Sequence, residues 1–183
     1  MLESVRRANV SGSSARVVLR APEPSDFPSL AEIRRDADMQ SMLLVVIDKT
    51  EDDDVRAWIT KRTRDANCVF FVVGDADNGL PLGYVQIADI HRRDRHGFAG
   101  IAIRRSAQGR GVGRAALSSL HRYAKDEGGL DKLMLIVRSD NWPALALYQK
   151  AGYRKVGTLK SHFRDREGVA HDVILFEHRL SEA

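Results

Sequence analysis

Cysteine is almost absent: Cys68 is the only one in 183 residues, which excludes an internal disulfide and a zinc site built on paired thiolates. That scarcity fits a reducing, cytoplasmic setting, and no resident metal is expected. Long apolar runs are missing too. The longest stretch free of Asp, Glu, Lys and Arg is Asn78 to Ala88, far short of the ~20 apolar residues a membrane-spanning helix needs, so no membrane partner is expected. Met1 to Ser14 carries Glu3, Arg6 and Arg7 and has no continuous apolar stretch that could form the core of a secretory signal. It reads as a flexible polar leader (1–14) to a single domain over 15–183, since no repeat, low-complexity linker or composition shift divides the rest. One-sided charge is also lacking. Lys and Arg number 29 against 25 Asp and Glu, a surplus of four, and no aromatics are interleaved with the arginines as stacking surfaces. A nucleic-acid partner is therefore not expected.

What is present is a regular alternation of short β-like and amphipathic segments, the pattern of an α/β chain. Arg16 to Arg20 reads as a strand, and Pro22, Pro24 and Ser25-Asp26 then offer a start for a helix from Phe27 to Asp36. Met39 to Ile47 is apolar but ambiguous between helix and strand. Thr50, followed by four acids, has the form of a capping box for a helix to about Ala66, with Val55, Trp58 and Ile59 on its apolar face. Cys68 to Val73 and Leu82 to Ile90 flank an Asn78-Gly79 turn and predict a hairpin, with Gly97 to Ile103 as an adjoining strand. A helix is expected from about Val112 to Glu127, ended by Gly128-Gly129. Lys132 to Val137 reads as a strand buried on both faces, and Pro143 opens a helix with Ala144, Leu147, Tyr148 and Ala151 inward. Tyr153 to Phe163 and Val169 to Leu180 close the chain as a hairpin around Arg164 to Gly168.

The informative segment is Ile101 to Arg114, IAIRRSAQGRGVGR, which places a strand, three alternate glycines and a helix start in succession. That order builds an anion site: unpaired N–H groups of the first turn point outward, and the helix dipole adds about half a positive charge. Arg104, Arg105, Arg110 and Arg114 surround the same loop. A P-loop is set aside because no Lys-Ser or Lys-Thr pair follows the glycines. Gly111 to Ala116 matches the dinucleotide pattern G-x-G-x-x-A. Its context does not, because the preceding strand lies about five residues upstream and the next strand ends in Val137-Arg138 with no acid to hold a ribose.

Gln108-Gly109-Arg110-Gly111-Val112-Gly113 resembles the Q/R-x-x-G-x-G/A acetyl-CoA loop of the GNAT superfamily of N-acetyltransferases. Asn141-Trp142-Pro143-Ala144-Leu145-Ala146-Leu147-Tyr148-Gln149-Lys150-Ala151-Gly152-Tyr153 resembles that family's second signature, N-x-x-A-x-x-x-Y-x-x-x-G-F/Y. The resemblance covers about residues 16 to 180. It implies a mixed, mostly antiparallel seven-stranded sheet, splayed to admit the cofactor and flanked by about four helices. The closing Lys160 to Leu180 is similar to the branch of ribosomal-protein N-terminal and nucleotide-amino-sugar acetyltransferases. The resemblance assigns the backbone of Ile101, Ala102 and Ile103 to the pantetheine arm and Gln108, Gly109, Arg110, Gly111, Val112, Gly113 and Arg114 to the pyrophosphate. Asn141 would bond the cofactor arm, and Tyr148 would be the general acid. The implied activity is transfer of acetyl from acetyl-CoA to a primary amine of a small molecule or a protein N-terminus by direct attack, in a monomer or homodimer. An acyl-CoA-binding regulatory module without catalysis is the alternative.

Many relatives carry a glutamate near the start of the strand before the glycine loop, where this chain has Phe98 at or next to that place. His91, His96, His162 and His171 are candidates for a water-relayed base, though His91 and His96 bracket Arg92-Arg93-Asp94-Arg95 and read as an exposed charged turn. Freeing a lysine-like amine of pKa ~10.4 at pH 7 costs roughly 4–5 kcal/mol, whereas an α-amino group near ~7.8 costs about 1. The missing glutamate therefore favours an acceptor amine of low pKa. Arg34, Trp58, Asp89, His162 and Phe163 are the expected acceptor contacts.

Overall fold

Alternating side chains of β-branched and aromatic residues build the sheet, and each helix then buries one apolar stripe on it. The structure is a computed structural model that describes residues 15–180; the expected leader, 1–14, lies outside them. In chain order the elements are β1 (Val17–Arg20), α1 (Phe27–Arg35), α2 (Ala37–Met42), α3 (Asp52–Arg64), β2 (Val69–Asp75), β3 (Pro81–His91) and β4 (His96–Ile103). They continue with α4 (Val112–Asp126), β5 (Lys132–Arg138), α5 (Trp142–Lys150), β6 (Arg154–Arg164) and β7 (Ala170–Arg179). One sheet carries all seven strands in the order β1-β2-β3-β4-β5-β7-β6. Every neighbouring pair is antiparallel except β4 with β5.

The period of two in β2 and β3 divides the core. Phe70, Val72 and Tyr84 face Leu30 and Ile33 of α1, with Trp58 and Ile59 of α3 packed alongside. Val73, Val85 and Ile87 face the other way, onto a larger core that includes Ala116, Leu117 and Leu120 of α4 and Leu145 and Tyr148 of α5. The fifth helix, α2, comes from the ambiguous stretch: it ends at Met42, and the backbone turns out at Leu44 (φ 62°). The cap of α3 is Glu51, one residue later than Thr50, with the Asp54 carboxylate accepting from the Glu51 N–H at 3.3 Å.

β5 departs from the two-sided burial its composition predicts. Leu133, Leu135 and Val137 are buried, but Ile136 is 41% exposed, because α1 to α3 cover β2 to β4 and stop short of β5. That gap belongs to the feature that positions the site. β4 and β5 pair only through His96, Gly97 and Phe98 against Lys132, Leu133 and Met134. Beyond this rung the two parallel strands separate, β4 staying with β3 and β5 with β7, so the sheet opens as a wedge toward Ile103 and Arg138.

Candidate active site

The wedge leaves backbone groups of β4 without a strand partner. The Arg104 N–H donates to the Leu82 carbonyl at 2.9 Å, so by antiparallel alternation Ala102 and Gly100 face β3 while Ala99, Ile101 and Ile103 face the opening. Of the three residues the resemblance assigns to a cofactor arm, Ile101 and Ile103 present their N–H and C=O groups there. Ala102 turns its backbone to β3 and its side chain to the α1 face. The Ile103 carbonyl is already occupied by Gln108, whose Nε2 donates to it at 2.8 Å. Gln108 thus ties the glycine loop to the end of β4.

Gly109 and Gly111 both have positive φ, +71° and +79°, the region where a side chain is strained. Gly113 is different. A Cβ there would stand 3.3 Å from Leu147 Cδ2, so this glycine lets α4 pack closely on α5. No side chain caps α4, and its first intrahelical donor is Ala115, whose N–H bonds the Gly111 carbonyl at 3.1 Å. The N–H groups of Val112, Gly113 and Arg114 are therefore left for a ligand or solvent. Not all four neighbouring arginines serve this loop. Arg104 Nε donates to Glu32 at 3.0 Å, and Arg105 holds Asp36 at 2.5 and 2.8 Å. Arg104 reaches across to α1 and Arg105 to the Asp36 cap of α2, leaving Arg110 and Arg114 exposed beside the helix start.

Across the wedge, Asn141 is the N-cap of α5 and its Oδ1 accepts from the Ala144 N–H at 3.3 Å, which leaves its Nδ2 donors for another partner. Two turns on, Tyr148 is 6% exposed and packs on Tyr153 and Phe176, with ring centroids 5.7 and 6.5 Å apart. Its hydroxyl has no hydrogen-bond partner among the described residues. The only fully buried side-chain polar atom lacking a partner among them is His96 Nδ1, so the Tyr148 oxygen meets an opening and is not sealed in. Burial alone pushes its pKa well above the ordinary phenol value.

A cleft of about 670 Å³ opens beside the end of β5, lined by apolar Met42, Val45, Val46 and Ile47 and by charged groups that include Arg34, Asp38, Arg138 and Glu167. Arg34 lines this cleft, with its guanidinium 5.1 Å above the Trp58 ring. Trp58 itself lies beneath, edge-on to Phe70 and Tyr84 at 5.6 and 5.5 Å. Asp89 and His162 do not line it: Asp89 sits near the end of β3 where β4 and β5 are still paired, and His162 is exposed on the edge strand β6. Phe163 is half-buried against His171, with ring centroids 6.2 Å apart.

The cleft wall contains a network that local patterning does not reveal. Arg138, 6% exposed, donates Nη1 to Ser41 Oγ at 2.6 Å and grips Asp140 through Nε and Nη2 at 3.0 and 2.6 Å. His171 Nε2 lies 2.7 Å from Asp165 and its Nδ1 3.8 Å from Asp140. The hydrogen bond from Arg138 holds the Asp140 carboxyl below its usual range. Five residues, from α2, β5, the loop before α5, the β6–β7 turn and β7, thus meet just before Asn141 in the chain. The one trace in the sequence is an arginine ending an apolar strand just before Ser139-Asp140-Asn141.

Similarity to known proteins bears on this arrangement. The GNAT acetyltransferase domain model matches residues 16–154. The chain is 35% identical over 94 residues to the N-alpha-acetyltransferase RimI of Mycobacterium tuberculosis, covering 50% of this chain and 57% of that one. It is 29% identical over 97 residues to an N-alpha-acetyltransferase of Saccharolobus solfataricus, covering 52% and 58%; these matches thus span a little over half the length of each curated relative. The fold superposes on a spermidine N-acetyltransferase from Vibrio cholerae, solved with CoA and spermine, with a TM-score of 0.83 and 25% identity over 91% of this chain and 96% of that one. With the wedge between β4 and β5, the uncapped glycine-rich start of α4 and a family match over most of its length, this chain belongs to the GNAT acetyltransferase domain family.

Proposed function

We propose that this chain transfers an acetyl group from acetyl-CoA to a primary amine by direct attack of the amine. The observation that carries the reading is the pairing of an uncapped, glycine-rich helix start with a strand edge that its neighbour leaves open. The residues fit the cofactor. Gly109 and Gly111 put no side chain in the way, the Val112, Gly113 and Arg114 N–H groups face outward, and Arg110 and Arg114 add positive charge for a pyrophosphate. The open edge at Ile101 and Ile103 suits the amide groups of a pantetheine arm, as does Asn141 Nδ2 across the wedge. When bound, acetyl-CoA supplies the activated acetyl thioester. Tyr148 holds a proton at Oη across the physiological range, because burial raises its pKa, and serves as donor to the leaving group.

The acceptor side favours an amine of low pKa, such as a peptide α-amino group. Phe98 ends the paired part of β4 and offers no carboxylate base. The lining of the cleft balances Arg34, Arg35, Arg138 and Arg166 against Asp38, Asp48, Asp165 and Glu167, whereas a polycation calls for a clear acidic excess. The Mycobacterium tuberculosis relative, named an N-alpha-acetyltransferase, supports a peptide α-amino group, whereas the Vibrio cholerae neighbour is named for spermidine. The test is thiol release from acetyl-CoA across N-terminal peptides, amino acids, amino sugars and polyamines. Turnover highest on peptides supports the reading; turnover confined to polyamines refutes the acceptor, and no turnover with any amine refutes the activity. Phe98 also favours one second reading, a module that binds acyl-CoA without catalysis, which tight CoA binding in the absence of turnover on any amine would establish.

A further inference from the structure

The turn between β3 and β4, His91-Arg92-Arg93-Asp94-Arg95-His96, carries ligand-type atoms that acetyl transfer does not use. His91 and His96 stand directly opposite each other in the β3–β4 register, so their side chains leave the same face of the hairpin. Their rings stack with centroids 5.4 Å apart and 15° between planes. One ring nitrogen of each histidine and a carboxylate oxygen of Asp94 all lie within 4.8 Å of one another.

Three observations set this apart from an ordinary solvated turn. His91 Nδ1 accepts the Asp94 N–H at 3.2 Å, so its lone pair is turned toward Asp94, yet an Asp94 carboxylate oxygen lies 3.1 Å from the same nitrogen. A shared positive charge, a proton or a metal ion, joins these two groups. His96 Nδ1 is buried with no hydrogen-bond partner, the only such atom among the described residues, and an orphaned nitrogen of this kind costs about 1–3 kcal/mol unless something ligates it. Two of the flanking arginines are also drawn away. Arg92 donates to the Ala66 carbonyl at 2.9 Å, and Arg95 to the Gly129 carbonyl at 2.8 Å and to Asp131 at 3.0 Å.

We propose that His91, Asp94 and His96 form a binding site for a divalent transition-metal ion of the zinc or nickel class, with water completing the shell. Two imidazoles and one carboxylate are the donor set such ions prefer. Donor atoms sharing a tetrahedral ion at ~2.0–2.1 Å sit roughly 3.3 Å apart, so the widest pair must close by roughly 1.5 Å. Both His91 and Asp94 are more than half exposed, so this closure needs only surface side-chain rotations that exchange their mutual contact for the ion. The site lies where the wedge is closed, since His96 forms the first rung of β4 on β5 opposite Lys132. A bound ion there braces the hairpin at the hinge of the cleft and takes no part in the acetyl chemistry, so the proposal stands independently of the assigned activity.

The experiment uses the full chain without an affinity tag, stripped with chelator and titrated with Zn²⁺ by calorimetry, with Co²⁺ absorption as a spectroscopic check. One ion binds per chain with micromolar affinity, the affinity falls by at least about tenfold in His91→Ala and in Asp94→Asn, and His162→Ala binds as the parent does. Zn²⁺ raises the thermal midpoint of the parent and not of His91→Ala. Because His91 is exposed, its substitution leaves the fold intact and keeps the test decisive. Equal affinity in all variants, an adventitious spread of weak binding over several histidines, or no binding at ~100 μM metal would overturn the site.

Discussion

Replacing Tyr148 by phenylalanine removes one oxygen and separates the proposed chemistry from the packing around it. With ordinary values, a phenol at ~10 giving its proton to a thiol of ~8.5 is uphill by about 2 kcal/mol. Burial pushes the Tyr148 pKa higher still. The hydroxyl therefore acts chiefly as a strong hydrogen-bond donor, and losing such a donor costs about 100- to 1,000-fold in kcat, or roughly 3–4 kcal/mol. Stability should hardly respond. The oxygen has no described partner, and the ring contacts with Tyr153 and Phe176 survive in phenylalanine, so the unfolding free energy changes by less than about 1 kcal/mol. A raised tyrosine pKa also keeps the donor protonated in the parent, so its rate shows no alkaline loss from this group below about pH 10. The assay pairs initial rates of thiol release with calorimetric CoA binding and chemical denaturation for both proteins. A kcat within about threefold of the parent, with CoA affinity intact, would refute the donor role. A large loss of stability with proportionate loss of activity would refute the separation of chemistry from packing.

The arginines around the glycine loop divide into two pairs. Arg110→Gln and Arg114→Gln each weaken CoA binding about three- to fivefold at low salt and less at high salt, whereas Arg104→Gln, whose partner is Glu32, leaves CoA affinity unchanged; calorimetry at two ionic strengths checks this. Gly111→Val forces a branched residue to φ +79°, costs about 1–2 kcal/mol of stability and lowers CoA affinity, measured by denaturation and titration. Arg138→Met leaves Asp140 and Ser41 without their donor and destabilises by about 2 kcal/mol, with KM for the acceptor rising more than KM for acetyl-CoA. His121, stacked on His178 at 4.4 Å, has its pKa pushed down to about 4, by burial first and then by His178. The unfolded chain then binds the extra proton between about pH 6.5 and 4, so stability is present at neutral pH and falls by up to about 3 kcal/mol through that window. His121→Gln flattens this slope in denaturant titrations at graded pH.

Local patterning was enough for most of the elements because strands and helices announce themselves through periods of two and 3.6, and caps and glycines mark their ends. What it misses is pairing across long separations. Arg104 and Arg105 stand next to the glycine loop in the chain, yet Glu32 in α1 and Asp36 at the start of α2, about seventy residues earlier, take both side chains. Gln108 belongs to the signature, and its amide turns back to close the Ile103 carbonyl. Composition alone makes Lys132 to Val137 a strand buried on two sides, because only the tertiary arrangement tells that one face looks into an open wedge. Arg138 is similarly hidden: its partners Ser41 and Asp140 come from α2 and from the loop before α5. The candidate site was legible where the local backbone calls for a particular residue, as in the positive-φ glycines of the loop and the side-chain cap at Asn141. It was not legible where it depends on which side chains meet in the cleft beside β5, as Arg34 over Trp58 and Asp89 outside the cleft show.

The most direct test of the central claim is product analysis of the purified chain incubated with acetyl-CoA and a set of N-terminal peptides, with free CoA thiol and peptide mass followed together. Equal amounts of CoA released and of peptide heavier by one acetyl group at its α-amino nitrogen, with Tyr148→Phe reduced by about 100-fold or more, is the result this account predicts. Tight CoA binding with no acetylated product from peptides, amino sugars, amino acids or polyamines would contradict it.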